Sequence, residues 1–352
     1  MSATPAATRF PAEWEPHGAT WLAYPHLATD WPGKLTAARL AFVEFVRKLV
    51  EHETVRLLVR TDAEAKRAQS TLKRGGVNLD DLDFRFCATD RSWLRDSGPT
   101  LVRSNDRLNA VCWQFDGWNR YSNWTADARV GRFIADAIGV PVVEPRIGQD
   151  LVRMEGGAID TNGTGTILTT EQSLLSRKRR GLDRTPAQHE FEAVFEQHLG
   201  CVNTLWLGRG IAGDDTSGHV DTVARFVRQR TVVAIVEPDP RDDNHAPLRD
   251  NLRRLRGMRD ETNRPLEVAE LPMPQALYYD GYRLPATYAN FYIANGCVLV
   301  PTYNDPNDRV ALRILSEIFP DREVCGLHSV DLVLGLGGLH CLAQPEPLVD
   351  PP

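Results

Sequence analysis

Cys341 is the residue of this chain best suited to nucleophilic chemistry. It follows Gly337, Gly338, Leu339 and His340, so the backbone can approach a ligand closely at this point. A thiol attacks as the thiolate, and its ordinary pKa of about 8.5 means that an imidazole or a bound cation must favour ionisation near neutral pH. We therefore interpret Cys341 as a candidate nucleophile that needs an imidazole from elsewhere in the chain.

His219 is the candidate general acid and base. It lies in a run of small and acidic residues, and a strand here would place His219 and Asp221 on one face with Val220 on the other. Glu155, which precedes two glycines, could bind the second ring nitrogen and complete a Cys-His-acid set. The competing interpretations are a histidine that only satisfies core contacts and a glutamate that only begins a strand.

Asp96 and Asp221 together suggest a site for a planar cation. Two carboxylates can bind a guanidinium through paired, charge-assisted hydrogen bonds. Asp214 and Asp215 could face a terminal amine of the same ligand, although acids in such a loop also cap or turn the chain. The loop lacks a second histidine at ligand spacing and an HExxH pattern, so we predict no metal site.

Hairpins followed by helices must position these clusters. Helical periodicity is clear at 34–52, 62–74, 123–138, 186–199, 248–258 and 307–319. Segments rich in β-branched or aromatic residues include 55–59, 84–88, 100–102, 110–115, 166–170, 202–206, 220–226, 231–236, 290–293, 297–301 and 323–327. The hairpin-helix units differ too much in sequence for a solenoid, so they predict a closed ring of β-β-α modules. Equivalent strand starts converge on the axis of a ring, which would bring the polar clusters into one pocket.

The composition excludes several classes of protein. Of 352 residues, 42% are apolar and 25% are charged, with a net charge of -6, which predicts a soluble globular protein without the basic patch of a nucleic-acid binder. No run is long enough for a membrane span and no signal core begins the chain, so we expect a cytoplasmic protein. The six cysteines form no CxxC pair and are read as reduced thiols. We predict a single domain over 1–352, with a short irregular segment at about 1–12.

Five motifs in this order resemble agmatine deiminases and the related bacterial-type peptidyl-arginine deiminases of the guanidine-modifying (pentein) superfamily. They are Trp-Glu-Pro-His at 14–17, Trp-Leu-Arg-Asp-Ser-Gly-Pro at 93–99, Glu-Gly-Gly at 155–157, Gly-His-Val-Asp at 218–221 and His-Cys at 340–341. The resemblance implies an α/β fold, a fivefold pseudosymmetric propeller. It also implies roles for six residues. Cys341 would be the nucleophile, His219 the general acid/base, and Glu155 the partner that orients His219. Asp96 and Asp221 would bind the guanidinium, and Trp93 would pack on the substrate stem.

The implied reaction is hydrolysis of a small guanidino compound through a covalent thiouronium intermediate, without a cofactor. With agmatine as the substrate, the products would be N-carbamoylputrescine and ammonia, which is a step of putrescine biosynthesis. The alternatives are a deiminase of free or peptidyl arginine, an amidinotransferase using the same thiol, and a non-enzymatic ring of this fold. An arginine site would need a basic contact, for which Arg95 or residues 177–180 are candidates. We expect no nucleic acid or membrane partner. Members of the resembled family are often dimers or larger, so the oligomeric state stays open, with a homo-oligomer as one alternative.

Overall fold

Five β-sheets with a common strand arrangement make up the framework in the computed structural model, which describes residues 8–105, 107–175 and 184–349. Each sheet contains an antiparallel pair whose second strand also pairs in parallel with a later strand. The second sheet, for example, orders Ile159–Thr161, Thr166–Thr170 and Asn203–Leu207. Parallel neighbours need a crossover, and a helix supplies it each time.

The other four sheets repeat this order with additions at two edges. The third sheet contains Ala224–Phe226, Thr231–Val236 and Glu267–Pro272, and the fourth contains Tyr292–Ile293, Cys297–Thr302 and Glu323–His328. The first sheet adds Thr8–Arg9 to Thr100–Ser104, Arg107–Val111 and Val142–Val143. The fifth joins the two ends of the chain, with the order Gln344–Pro347, His17–Ala23, Val55–Val59 and Leu82–Phe86. Two short hairpins lie outside the sheets, Arg146–Ile147 with Asp150–Leu151 and Tyr278–Tyr279 with Tyr282–Arg283.

Helices cover these sheets with their apolar faces. The longer ones are Leu35–Leu49, Asp62–Arg74, Val130–Ile138, Gln188–Leu199, His245–Gly257 and Pro306–Ile318. Local sequence fixes several ends. Thr61 accepts a hydrogen bond from the backbone N–H of Glu64, and Asp305 caps a helix that begins with proline. None of the helices in the described ranges is long and apolar enough to cross a membrane.

A short helical turn precedes the first strand of each sheet, and these five lead-in turns carry most of the polar clusters. They are Leu94–Ser97, Gly156–Ala158, Val220–Thr222, Tyr288–Asn290 and Leu339–Leu342. Each lead-in turn contacts the next in chain order, and the last contacts the first. The clusters from five distant segments therefore meet in one place.

Most predicted elements are confirmed, but the strand predicted at 220–226, next to the candidate acid/base His219, is wrong in its first residues. Residues 220–222 form a 3₁₀ turn rather than the start of a strand, which begins only at Ala224. The predicted strand at 290–293 likewise begins at Tyr292. Within the segment predicted to be irregular at about 1–12, Thr8 and Arg9 form a short strand that pairs with Ser104 and Arg103, while residues 1–7 lie outside the described ranges.

Candidate active site

All five residues predicted to form the catalytic set lie within or beside the lead-in turns, and the structure brings them together. None of them is more than 5% exposed. The Nε2 atom of His219 lies 3.2 Å from Oε2 of Glu155, and its Nδ1 lies 3.6 Å from Oδ1 of Asp96. The thiol of Cys341 donates to Oδ2 of Asp221 over 3.6 Å. One buried cluster thus contains a thiol, an imidazole and three carboxylates.

Gly157 explains how these groups can converge. A Cβ atom at this position would lie 2.7 Å from both Oδ1 of Asp96 and Nδ1 of His219, and 3.1 Å from Oδ2 of Asp221. Because real Cβ atoms do not approach other atoms so closely, any side chain here would push the polar groups apart. The backbone N–H of Gly157 instead donates to Oδ1 of Asp96 over 3.0 Å, which fixes that carboxylate.

The carboxylates around His219 favour the protonated form of its imidazole. Burial lowers its pKa, but the negative charges of Asp96, Glu155 and Asp221 more than offset this effect and raise the pKa to about 9. Its Nδ1 atom makes no hydrogen bond within the described residues. At neutral pH the ring is therefore an acid with one N–H available for a ligand.

The two aspartates are held differently. Burial, together with the charges of Asp221 and Glu155, raises the pKa of Asp96 to about 7, although His219 and the indole N–H of Trp118 oppose the shift. The Trp118 Nε1 atom donates to Oδ2 of Asp96 over 2.8 Å. Burial would also raise the pKa of Asp221, yet neighbouring cations, first among them His340, lower it overall. Asp221 therefore stays ionised, and its Oδ1 atom has no hydrogen-bond partner in the described chain.

The thiol of Cys341 is neutral in the unliganded protein. Burial and the charges of Asp221 and Asp96 raise its pKa well above the ordinary value, although hydrogen bonds from the backbone of Gly338 and from Asn290 act in the opposite direction. A positively charged ligand between the carboxylates would reverse the main electrostatic effect. The site can therefore ionise its thiol when a cation binds.

Asn290 is a site residue that sequence reasoning placed only in a strand. Its Nδ2 atom donates to the sulfur of Cys341 over 3.2 Å, and its Oδ1 atom accepts from the backbone N–H groups of His340 and Cys341 at 3.1 and 3.4 Å. The repeat contained a usable signal, since Asn290 ends the fourth lead-in turn and every other lead-in turn carries or adjoins a predicted site residue. Trp118 had no comparable signal.

A small cavity opens onto this cluster. Trp93 forms part of its wall and packs on Trp31 with ring centroids 5.5 Å apart. The complete lining consists of Arg91, Trp93, Asp96, Trp118, Tyr121, Asp215, Thr216, Gly335, Leu336, Gly337 and Cys341.

The two acids of the 213–221 loop have different surroundings. Asp215 lines the cavity and accepts a 2.5 Å hydrogen bond from the Tyr121 hydroxyl, and burial raises its pKa to about 6. Both oxygens of Asp214 already accept hydrogen bonds, from Thr216 and from the backbone N–H of Gly218. This geometry favours the turn-capping interpretation for Asp214 and leaves Asp215 as the available acid.

Of the basic contacts suggested for an arginine-like ligand, Arg95 does not line the cavity, because it is buried and pairs with Glu13 over 2.6 Å. Residues 177–180 lie outside the described ranges. Among the residues that the structure describes, the cation that lines the cavity is Arg91, which pairs with Asp30 and lies over the Tyr121 ring at 3.8 Å. Within the described residues, the one grouping of metal-type ligands is Glu51, His52 and Glu323, none of which lines this cavity.

The fold and the site define an α/β protein with a buried thiol, a protonated imidazole and paired carboxylates around a small cavity, a set suited to covalent chemistry on an organic cation. The sequence model of the Porphyromonas-type peptidyl-arginine deiminase family matches residues 9–347. The chain belongs to this family.

Individual relatives agree with this assignment. The agmatine deiminase of Ectopseudomonas mendocina is 31% identical over 373 residues, with 99% of this chain and 98% of the relative covered. The agmatine deiminase of Stutzerimonas stutzeri is 32% identical over 363 residues, covering 96% of this chain and 95% of the relative. The solved structure of agmatine deiminase from Enterococcus faecalis superposes with a TM-score of 0.88 at 27% identity, covering 99% of this chain and 98% of that one.

Proposed function

We propose that this protein hydrolyses the guanidinium group of agmatine, giving N-carbamoylputrescine and ammonia. One observation carries the proposal. The thiol of Cys341 lies beside the carboxylate of Asp221, and both Cys341 and Asp96 line the cavity. The protonated ring of His219 lies next to Asp96. Full-length relatives named agmatine deiminase support the choice of substrate.

Binding of the guanidinium would use the negative charge of the cluster. Asp96, Asp221 and Glu155 outnumber the cations His219 and His340 that contact them, so a bound cation relieves the repulsion among buried carboxylates. Asp96 and Asp221 would each accept N–H groups of the planar cation, the latter through its free Oδ1 atom. Trp93 would lie along the aliphatic stem.

In the first chemical step, the cation bound between the aspartates favours loss of the thiol proton from Cys341 to solvent. The sulfur then forms a bond to the guanidinium carbon, and His219 donates its proton to the departing nitrogen as the C–N bond breaks. Ammonia leaves and an S-alkylthiouronium remains on the sulfur. Glu155, at 3.2 Å from Nε2, holds the ring in place through both protonation states.

In the second step, His219 is neutral and can accept a proton from water. The resulting hydroxide attacks the thiouronium carbon, the C–S bond breaks as the new hydroxyl loses its proton to solvent, and the thiolate of Cys341 is released together with the ureido product. The thiolate takes up a proton from solvent when the product leaves, so the two steps restore the protonation states of the ring and of the thiol. Asp215, which also lines the cavity, would bind the terminal ammonium of agmatine.

The arrangement of the whole chain is part of the proposal. The cyclic contacts of the five lead-in turns and the repeated sheet order support a fivefold pseudosymmetric propeller, and the pairing of the C-terminal strand with His17–Ala23 supports one domain over the whole chain. We retain the cytoplasm as the proposed location and a homo-oligomer as the proposed state.

The test supplies agmatine, free arginine and a blocked arginyl peptide separately and follows both ammonia and ureido product. We expect turnover with agmatine and none with Cys341→Ala. Citrulline formed faster than N-carbamoylputrescine would favour the arginine alternative, for which Arg91 at the cavity is the specific observation. A new guanidino compound formed on adding glycine would show amidinotransfer. Absence of turnover with all three substrates would reject the proposal.

A further inference from the structure

His340, the residue before the proposed nucleophile, lies between two buried carboxylates. It is 1% exposed. Its Nδ1 atom is 2.7 Å from Oδ2 of Asp221, and its Nε2 atom is 2.9 Å from Oε2 of Glu13. An ionised carboxylate can only accept hydrogen bonds, so both ring nitrogens must carry protons. The geometry therefore makes His340 an imidazolium that links Glu13 to Asp221.

Glu13 is fixed firmly enough to anchor this link. Besides His340, it binds Arg95 over 2.6 Å, Arg225 over 2.8 Å and the backbone N–H of Ile293 over 3.0 Å. These cations lower its pKa well below the ordinary value, although burial alone would raise it. The carboxylate is therefore ionised and nearly immobile on the far side of His340 from the cavity.

The consequences of the link reach the substrate through Asp221. Its Oδ2 atom is occupied by His340 and by the thiol of Cys341 at 3.6 Å, whereas its Oδ1 atom has no hydrogen-bond partner in the described residues. Without an N–H at Nδ1, the carboxylate could rotate toward the thiol or take up a proton. Either change would remove an acceptor for the guanidinium.

We propose that His340 is a positioning residue for deimination, which turns Asp221 so that one oxygen faces the guanidinium while the other is held away from it. This inference rests on the proposed function, because it assigns the free oxygen to the substrate of that reaction. The residue of the proposed catalytic set that the His340 ring contacts is Asp221, so we expect its effect on the reaction to pass through Asp221.

Two substitutions separate the two ring nitrogens. In His340→Asn the amide nitrogen takes the place of Nδ1 and keeps a donor to Asp221, whereas in His340→Gln it takes the place of Nε2 and keeps the contact with Glu13. We expect the KM for agmatine to stay within about threefold in His340→Asn and to rise about 10- to 100-fold in His340→Gln, because only the second variant loses a hydrogen bond to the charged Asp221.

A merely structural role predicts a different pattern. Both variants would then lose thermal stability and active fraction, with KM unchanged or raised equally, and that result would overturn the inference. Wild-type turnover of agmatine is measured first. Absence of turnover by the wild-type protein would reject the proposed function. Normal wild-type turnover with equal KM values in the two variants would reject only the proposed role of His340.

A measurement on the unmodified protein covers the case in which either variant does not fold. In protein with ¹⁵N-labelled histidine, we expect both ring nitrogens of His340 to carry protons at pH 7. The charged and titratable groups that interact with the ring are Asp221, Glu13 and Asp160, with Arg95 and Arg225 behind Glu13. A neutral ring at that pH would overturn the inference, because one carboxylate would then lack its donor.

Discussion

Replacing Trp118 by phenylalanine should weaken catalysis through Asp96. The substitution keeps an aromatic ring beside Phe115 and Tyr121 but removes the indole N–H that donates to Oδ2 of Asp96 over 2.8 Å. A hydrogen bond to a charged group contributes about 1.5–3 kcal/mol. Since about 1.4 kcal/mol corresponds to a tenfold rate change, kcat/KM for agmatine should fall about 10- to 150-fold.

The pH profile gives a second measure of the same loss. The indole N–H stabilises the ionised form of Asp96, whose pKa is about 7, so Trp118→Phe should move the acid limb of kcat/KM to higher pH. The matched control is Trp113→Phe. It also removes a buried indole N–H, which donates to Oγ1 of Thr100 over 2.8 Å, but Trp113 does not line the cavity. Equal losses of kcat/KM in both variants, with no shift of the acid limb, would refute the reasoning.

Three further predictions concern the contact of Asn290 with the thiol, the pH dependence of kcat/KM, and the two acids Asp214 and Asp215. Asn290→Asp replaces the donor to the thiol by a carboxylate and should lower kcat about 100-fold, more than Asn290→Ala does; equal values would contradict this. The plot of kcat/KM against pH should rise through about 7 as Asp96 ionises and fall above about 9 as His219 loses its proton; an optimum below pH 6 would contradict both assignments. Asp215→Asn should raise KM about tenfold with little loss of stability. Asp214→Asn should instead lower stability by about 1–3 kcal/mol in urea unfolding, and the reverse pattern would show that the capping interpretation is wrong.

Much of the architecture could be predicted because the helices have clear apolar stripes and two of the hairpins contain Asn-Gly steps, at 162–163 and 295–296. The helix predicted at 62–74 coincides with Asp62–Arg74, and the strand at 231–236 with Thr231–Val236. The strand Gln344–Pro347 was missed because it contains two prolines, which a strand tolerates only where no ladder N–H is needed. Its position is set by pairing with His17–Ala23 from the other end of the chain.

The site shows a sharper limit of sequence reasoning. Residue types alone identified Cys341, His219 and the acids, but the assumed strand alternation around His219 was wrong, since the segment is a 3₁₀ turn. Tertiary contacts decide the local conformation there. The partners Trp118, Asn290 and Glu13 were not predicted because each reaches the cluster from a distant segment, and their side chains acquire a role only through that proximity.

The most direct test of the account follows the sulfur of Cys341 during a single turnover of agmatine. With enzyme in excess, samples are quenched in acid and digested, and the mass of the peptide containing Cys341 is measured by mass spectrometry. The account predicts an adduct equal to agmatine less ammonia, which rises and then decays as N-carbamoylputrescine forms. Product formation with that peptide unmodified throughout, or with the adduct on another cysteine, would contradict the central claim.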